Sequence, residues 1–205
     1  MNVNDKQWWE NKFGSGDWEL NMGKAQTEYF ARLIVNNIPY GIKKDLNSTG
    51  MRILDWGCAL GQGVDVFQMS FPLARVSGYD FSESAIDKAK DLYPQLSFRN
   101  EPIGTDEKFD TIIISNTLEH FHGPLEVVKQ HLANVGRYYI ILVPYGQCGI
   151  NGPFIDGCHF YSFTEETFTE TFSDFTRMFF CVIPSTRPDL WAGYQLLVIY
   201  KRATD

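Results

Sequence analysis

The chain has 205 residues, 44% hydrophobic and 21% charged, which is typical of one globular domain and argues against a disordered chain or a coiled coil. The net charge of −7 and the lack of a Lys/Arg cluster argue against a nucleic-acid partner, and no apolar run is long enough to cross a bilayer. The cysteines form no CxxC pair and the polar, acidic first residues lack the pattern of a signal peptide, so we expect a cytoplasmic protein with reduced thiols.

The first 50 residues contain one clear periodic pattern. Residues 1–23 show no clean period, whereas apolar residues recur at helical spacing over residues 24–38 and predict a helix. The polar segment KKDLNSTG, residues 43–50, predicts a linker.

From residue 51 onward, short apolar runs alternate with helical patterns. The runs that predict strands are MRILDW (51–56), ARVSGYD (74–80), LSF (96–98), FDTIIIS (109–115) and YYIILVP (138–144). Helical patterns follow the first, second and fourth of these runs, and Ser82 is expected to cap the second helix. This alternation predicts βαβ units and a parallel sheet covered on both faces.

The pattern changes after residue 144. Residues 145–160 carry four glycines and no period, and predict a loop. Thr164 predicts the start of a helix with acidic residues in its first turn. The runs FTRMFFCVI (175–183) and YQLLVIYKR (194–202) predict two final strands, which we expect to be antiparallel because no crossover helix is predicted between them.

The most specific motif is ILDWGCALGQG, residues 53–63. It places Asp55 at the end of a strand, and Gly57, Gly61 and Gly63 let the backbone turn tightly and approach a ligand. The GxxxGxG spacing differs from the GxGxxG of dinucleotide sites and disfavours a nicotinamide-dependent oxidoreductase.

A second landmark is Asp80, which ends the second predicted strand 19 residues beyond Gly61. An acid at this position can accept hydrogen bonds from the hydroxyls of an adenosine ribose, and Phe81 is placed to pack on the adenine. Open parallel sheets bind ligands at the carboxyl ends of their strands, so we expect Asp80 and the glycines to line one crevice.

The segments ILDWGCALGQG, VSGYD, FDTIIISNTLEHF and YYIILVP, in this order and spacing, resemble the class I S-adenosylmethionine-dependent methyltransferases over residues 50–145. The resemblance implies an α/β fold with a Rossmann-like, doubly wound, seven-stranded sheet that is mostly parallel and has an antiparallel C-terminal strand pair. It implies one methyltransferase domain over residues 1–205. Within it, residues 1–45 form a helical lid or extension, residues 50–145 bind the cofactor and residues 146–205 face the acceptor.

The resemblance also implies a site for the cofactor S-adenosyl-L-methionine. The residues assigned to it are Asp55, Gly57, Cys58, Ala59, Gly61, Asp80, Phe81, Glu101, Asn116 and Gln26. Asp55 and the glycine loop hold the methionine end, Asp80 holds the ribose, and Glu101 is the acid nearest in sequence to the adenine position. Ala59 replaces the family's middle loop glycine, so we expect a backbone conformation there that alanine tolerates.

Three histidines are candidate catalytic or acceptor-binding residues. Transfer to a hydroxyl needs a base for its proton, and histidine suits this role at neutral pH. His120 and His122 follow the fourth predicted strand, and His159 lies in the loop after the fifth. The alternative for each is a structural histidine bonded to a backbone carbonyl.

The expected reaction is methylation of a small molecule, at a hydroxyl of a sugar or a secondary metabolite. The alternative is a methyltransferase-like binding or scaffold protein without turnover. Cys148, Cys158 and His159 offer zinc ligand types, but without a CxxC element the sequence predicts no metal.

Aromatic residues make up 15% of the chain, and 20 of the 31 lie outside residues 51–144. Their placement predicts a cleft that shields the sulfonium from water, with packing of the core as the alternative. The residues proposed as its walls are Trp8, Trp9, Trp18, Phe160, Tyr161 and Trp191.

Overall fold

The computed structural model describes residues 2–169, 172 and 174–203, which form two compact units divided after Gly104. The helices of the first unit are α1 (Lys6–Gly14), α2 (Asp17–Leu20), α3 (Gly23–Asn37), α4 (Tyr40–Leu46), α5 (Gln62–Ser70) and α6 (Glu83–Leu92). Its strands are β1 (Arg52–Trp56), β2 (Arg75–Tyr79) and β3 (Ser97–Arg99). They are parallel, in the order β3-β2-β1.

The second unit has one α-helix, α7 (Pro124–His131), within its described residues. Its strands are β4 (Phe109–Ser115), β5 (Val135–Tyr145), β6 (Gly152–Asp156), β7 (His159–Ser162), β8 (Phe175–Pro184) and β9 (Tyr194–Arg202). Four of them run in the order β4-β5-β9-β8, with β4 parallel to β5 and with β9 antiparallel to both of its neighbours. The strands β6 and β7 form a separate antiparallel pair.

The predicted fold class is confirmed, because seven strands of the described chain belong to one mostly parallel sheet with an antiparallel C-terminal pair. The apolar runs are buried as the pattern predicts, with Ile53 on β1 and Ile112–Ile114 on β4 fully buried. Ser82 caps α6 as predicted, since its hydroxyl accepts a hydrogen bond from the Ala85 N–H at 3.1 Å.

The amino-terminal region contains more helix than its sequence pattern predicts. The helices α1 and α2 lie within residues 1–23, and α4 covers the first half of the predicted linker. The α1 helix buries only Trp9 and Phe13, a single i,i+4 pair that is too short to show a period. The side chain of Asp5 begins this helix by accepting a hydrogen bond from the Trp8 N–H at 2.7 Å.

The prediction of a loop over residues 145–160 is wrong for the second half of this segment, which contains β6 and the start of β7. The pairing of Asp156 with His159 closes a two-residue turn, and Gly157 at its first position has a φ of +63°. The helix predicted from Thr164 is a single 3-10 turn over Glu165–Phe168, and residues 170, 171 and 173 lie outside the described part.

Within the described residues, no helix has both the length and the apolar character that a membrane crossing requires.

Substitution of a buried tyrosine in the second unit tests how much one side-chain hydrogen bond stabilises the fold. Tyr200 on β9 is fully buried, and its hydroxyl donates to the Phe168 carbonyl at 2.8 Å. Tyr200→Phe removes one of two donors to this carbonyl, the other being Nη1 of Arg177 at 3.0 Å, so we expect the free energy of unfolding in urea to fall by about 0.5–1.5 kcal/mol. Tyr194→Phe, at an exposed position of the same strand, is the matched control and should change it by less than about 0.5 kcal/mol. An equal decrease in the free energy of unfolding in the two variants would show that the hydrogen bond of Tyr200 does not stabilise the fold.

Candidate active site

The loop between β1 and α5, residues 57–61, is here called the glycine loop. Three of its residues are left-handed, with φ of +82° at Gly57, +46° at Ala59 and +86° at Gly61. The N–H groups of Gly57 and Cys58 both donate to the carbonyl of Tyr79, at 2.8 and 3.0 Å, which fastens the loop to the end of β2. A Cβ atom at Gly61 would lie 2.7 Å from an aromatic ring, so this position needs glycine for space as well as for its φ.

Ala59 stands where a backbone conformation that alanine tolerates was expected, and its conformation is an uncommon one. Its φ of +46° lies in the left-handed region, which costs a residue with a Cβ atom about 1–2 kcal/mol. The Ala59 N–H donates to Oδ2 of Asp80 at 3.0 Å. This hydrogen bond to a carboxylate offsets the backbone cost and holds the loop in shape.

Asp80 joins the glycine loop to the start of α6. Its Oδ1 accepts a hydrogen bond from the Ser82 N–H at 3.0 Å, while Oδ2 accepts the one from Ala59. The side chain is buried, and burial raises the pKa of Asp80 to about 6, with a further upward effect from the charge of Glu10. The two backbone hydrogen bonds act in the opposite direction and keep the pKa from rising further.

Asp55 lies buried at the end of β1. Burial raises the pKa of this carboxyl to about 7, and the neighbouring charge of Asp80 adds to the rise. A Cβ atom at Gly63 would lie 2.5 Å from Oδ2 of Asp55, so the third glycine of the motif makes room for this carboxylate. The first unit therefore holds two electrostatically coupled, buried acids whose ionised forms are disfavoured.

One polar residue of this region was missed by the sequence analysis. Gln62 is the first residue of α5 and is buried, and its Oε1 has no hydrogen-bond partner within the described part of the chain. A buried amide oxygen of this kind suits a ligand that donates a hydrogen bond. Its position between two motif glycines, Gly61 and Gly63, is the signal that was available in the sequence.

The remaining predicted cofactor residues of the first unit are less enclosed. Phe81 is partly buried, Gln26 is half-buried near the start of α3, and Glu101 is exposed after β3. The exposure of Glu101 makes it a weaker candidate than Asp80 for holding a ligand in a dry site.

The tryptophans of the amino-terminal helices pack onto the glycine loop. Trp9 and Phe13 are buried and stack at a centroid distance of 5.5 Å, in one cluster with Ala59 and Leu60 of the loop. Trp8, Trp18 and Phe81 pack against the same cluster. These three tryptophans of the predicted cleft thus belong to, or pack against, a cluster that includes two residues of the glycine loop.

Glu10 fixes α1 to the amino terminus of α6. Its Oε1 accepts a hydrogen bond from the Glu83 N–H at 2.7 Å, and its Oε2 accepts one from the Ser84 N–H at 3.1 Å. The Ser82 hydroxyl donates to Oε2 as well, at 3.1 Å. A carboxylate on these amides satisfies the open end of the helix and favours its dipole.

In the second unit, Asn116 follows β4 with a left-handed φ of +47°. Its Oδ1 accepts a hydrogen bond from Nε2 of Gln195 at 3.0 Å, while its Nδ2 is buried without a partner in the described residues. Gln195 on β9 is fully buried, and its Oε1 also has no partner there. The two amides offer one donor and one acceptor to a ligand, and Gln195 is detectable in the sequence only as a polar residue in an apolar strand.

The three predicted histidines, His120, His122 and His159, each contact a residue of the β6–β7 hairpin or lie on it, and are here called the histidine cluster. The rings of His120 and His159 lie 5.2 Å apart in an edge-to-face arrangement. Nδ1 of His120 donates to the Cys158 carbonyl at 2.9 Å, and Nδ1 of His159 donates to Oε1 of Gln147 at 3.0 Å. His120 thus has the backbone contact expected of a structural histidine.

Aromatic rings enclose the rest of the histidine cluster. The His122 ring stacks on Phe160 at 4.3 Å, and the His159 ring stacks on Trp191 at 6.3 Å. Burial lowers the pKa of His120 to about 4, so this imidazole is neutral at physiological pH. Two walls of the predicted cleft, Phe160 and Trp191, therefore contact candidate catalytic residues.

Glu119, which directly precedes His120, is a buried acid with a raised pKa. Glu119 is buried, its Oε2 has no partner among the described residues, and burial raises the pKa of its carboxyl to about 8. At neutral pH this carboxyl is mainly protonated, which disfavours a role for it as a base.

The methyltransferase domain family matches the chain over residues 22–174. Trans-aconitate 2-methyltransferase of Variovorax paradoxus (strain S110) is 29% identical over 102 residues. The matched part covers 50% of this chain but only 38% of that protein, so the chain spans well under half the length of this relative.

Two solved structures show the likeness of fold. Magnesium protoporphyrin IX methyltransferase (ChlM) from Synechocystis PCC 6803, with bound SAM, superposes with a TM-score of 0.68 at 15% identity and covers 99% of each chain. The plantazolicin methyltransferase BpumL, in complex with SAH, superposes with a TM-score of 0.64 at 17% identity, over 98% of this chain and 92% of its own.

The buried acid on β1 predicts a stability that depends on pH. Because the pKa of Asp55 is raised to about 7, the stability it contributes is fully present below about pH 4 and is lost as the pH rises through 7. Asp55→Asn should therefore raise the free energy of unfolding at pH 8, in the absence of ligands, by on the order of 2 kcal/mol, and change it little at pH 4.

Urea denaturation at the two pH values measures this difference. Asp87→Asn, at an exposed acid on α6, is the control and should show no such pH dependence. A variant Asp55→Asn that is less stable than the wild type at pH 8 would show that the ionised carboxylate stabilises the unliganded fold.

Proposed function

The chain belongs to the class I S-adenosylmethionine-dependent methyltransferases, and on this premise we propose that it transfers a methyl group from S-adenosylmethionine to a hydroxyl of a small molecule. Nine of the ten candidate cofactor-binding residues belong to the first unit, and the histidine cluster of the second unit is assigned to the acceptor. Bound S-adenosylmethionine supplies an electrophilic methyl group on a cationic sulfonium.

The observation that carries the proposal is the pair of buried carboxylates at the glycine loop, Asp55 and Asp80. Their raised pKa values mean that the protein alone disfavours both anions. S-adenosylmethionine carries positive charge on its sulfonium and its α-ammonium group, and a cationic ligand stabilises ionised carboxylates in a dry site. The residues present therefore fit this cofactor.

The candidate residues at the glycine loop and at the end of β2 are assigned to separate parts of the cofactor. Asp55 and the glycine loop hold the methionine end, and the orphaned Oε1 of Gln62 accepts a hydrogen bond from the cofactor. Asp80 uses lone pairs beyond those bonded to Ala59 and Ser82 to accept from the ribose hydroxyls. Phe81 packs on the adenine.

On the acceptor side, His159 is the favoured base. The low pKa of His120 makes it a poor proton acceptor at neutral pH, so we assign it a positioning role. His159 is oriented by Gln147 through Nδ1, which leaves the lone pair of its neutral ring on Nε2. His122, stacked on Phe160, is the second candidate for contact with the acceptor.

A small-molecule acceptor fits the composition and the relatives. The acidic charge of −7 disfavours nucleic acid. Trans-aconitate, magnesium protoporphyrin IX and plantazolicin, which the names of the similar proteins specify, are all small compared with a protein or a nucleic acid. For this chain, a hydroxyl of a sugar or a secondary metabolite is the proposed acceptor.

Cofactor binding tests the first part of this proposal. Calorimetry should detect S-adenosylmethionine binding to the wild type, and Asp80→Asn should weaken it by about 10- to 100-fold through loss of a charge-assisted hydrogen bond. Affinity in the wild type should fall as the pH decreases through 7 and 6, where Asp55 and Asp80 take up protons. Asp87→Asn serves as the control. No binding by the wild type, or a flat pH profile, would contradict the assignment of the carboxylates.

Turnover tests the acceptor side. His159→Ala should reduce methyl transfer from labelled cofactor to a pool of small hydroxyl compounds by about 10²- to 10⁴-fold. Its affinity for S-adenosylmethionine should stay within about twofold of wild type, because the removed group acts on the acceptor. His131→Gln alters a histidine outside the cluster and should retain turnover. Cofactor binding without methyl transfer by the wild type would favour a binding or scaffold role instead.

A further inference from the structure

Two histidines and a cysteine of the second unit bring potential metal ligands together. A ring nitrogen of His120, Sγ of Cys158 and a ring nitrogen of His159 all lie within 4.8 Å of one another, and the three residues are half-buried. In a tetrahedral zinc site, bonds of about 2.0–2.3 Å place neighbouring ligand atoms about 3.3–3.6 Å apart. Each pair of ligand atoms therefore needs to approach by at most about 1.5 Å to hold an ion.

The two imidazoles are held in the way that metal-binding histidines are held. Such histidines almost always donate their second ring N–H to a carbonyl or carboxylate oxygen, which sets the tautomer and the direction of the ring. His120 makes this contact with the Cys158 carbonyl, and His159 makes it with Oε1 of Gln147. With a hydrogen on Nδ1, the lone pair of each neutral ring is on Nε2.

We propose that His120, Cys158 and His159 form a zinc site with an open fourth position. Two imidazoles and one thiolate suit zinc, whereas magnesium and calcium prefer oxygen ligands. Three protein ligands are the pattern of zinc sites that accept a water or a substrate as the fourth ligand. The sequence predicts no metal because it contains no CxxC element, whereas the turn between β6 and β7 assembles this ligand set in the folded chain.

Zinc binding here goes beyond the proposed function and does not depend on it. One consequence for the acceptor does rest on the proposed function. In the zinc-bound protein His159 is a ligand rather than a base, and an acceptor hydroxyl in the fourth position would release its proton to solvent more readily.

The test uses the full chain after treatment with a chelator and in the presence of a phosphine reductant. Calorimetry with zinc chloride should show one bound ion per chain. Cobalt(II) chloride, as a coloured substitute, should give a thiolate-to-metal charge-transfer band in the absorption spectrum. The cobalt measurement needs no variant, so it does not depend on the folding of one.

Matched variants identify the ligands. Cys158→Ser should abolish the charge-transfer band and weaken zinc binding by more than about 100-fold, while Cys181→Ser, at a half-buried cysteine of β8, should leave both unchanged. Gln147→Ala removes the oxygen that orients His159 and should weaken zinc binding by about 10- to 100-fold. Failure of the wild type to bind one zinc ion, a cobalt complex without the thiolate band, or wild-type affinity in Cys158→Ser would each overturn the proposal.

A separate measurement keeps this proposal distinct from the proposed function. S-adenosylmethionine binding and methyl transfer are measured on the same chelator-treated protein. Methyl transfer by a protein that binds no zinc would overturn the metal site alone. Zinc binding with the expected spectrum, in a protein that does not bind S-adenosylmethionine, would support the metal site and overturn the proposed function.

Discussion

The carboxylate of Asp80 is the point on which the geometry of the first unit depends. Through its two oxygens it joins the N–H of Ala59, in the glycine loop, to the N–H of Ser82, at the start of α6. The Ser82 hydroxyl in turn donates to Glu10 of α1. One continuous set of hydrogen bonds thus connects the loop, the end of β2 and the amino-terminal helix. A left-handed alanine persists in this loop because a carboxylate holds its N–H.

This arrangement places two acids where their ionisation is unfavourable. Burial raises the pKa of Asp55 and of Asp80, and a hydrophobic or amide substitute would suit the empty fold better. Gly63 has no Cβ atom, and the space that this leaves is occupied by the Asp55 carboxylate. Buried acids with perturbed pKa values concentrate at functional sites, where a bound ligand can compensate for their cost. In the proposed complex, the positive charge of S-adenosylmethionine would offset this cost in stability.

Most of the sheet could be predicted from the sequence, and the reasons are local. The run FDTIIIS coincides with β4 because a strand that is buried on both faces is continuously apolar. Ser82 caps α6 because its hydroxyl accepts a hydrogen bond from a free N–H of the first helical turn. The hairpin β6–β7 was missed because Gly157 was taken as a loop residue, although a two-residue turn with glycine at its first position is also a hairpin signal. The left-handed φ of Ala59 depends on a residue 21 positions away, and no local pattern encodes that.

The histidine cluster shows why a site can be harder to predict than the fold that carries it. His120 and His159 are each recognisable as candidates, but their relationship depends on the turn at Gly157. That turn places the Cys158 carbonyl against Nδ1 of His120 and begins β7 with His159, so a single bend both orients one ring and positions the other. A longer turn would preserve the residues and the strands but separate the two rings. The chemistry of the cluster therefore depends on the length of a two-residue connection, which composition and spacing of the histidines do not reveal.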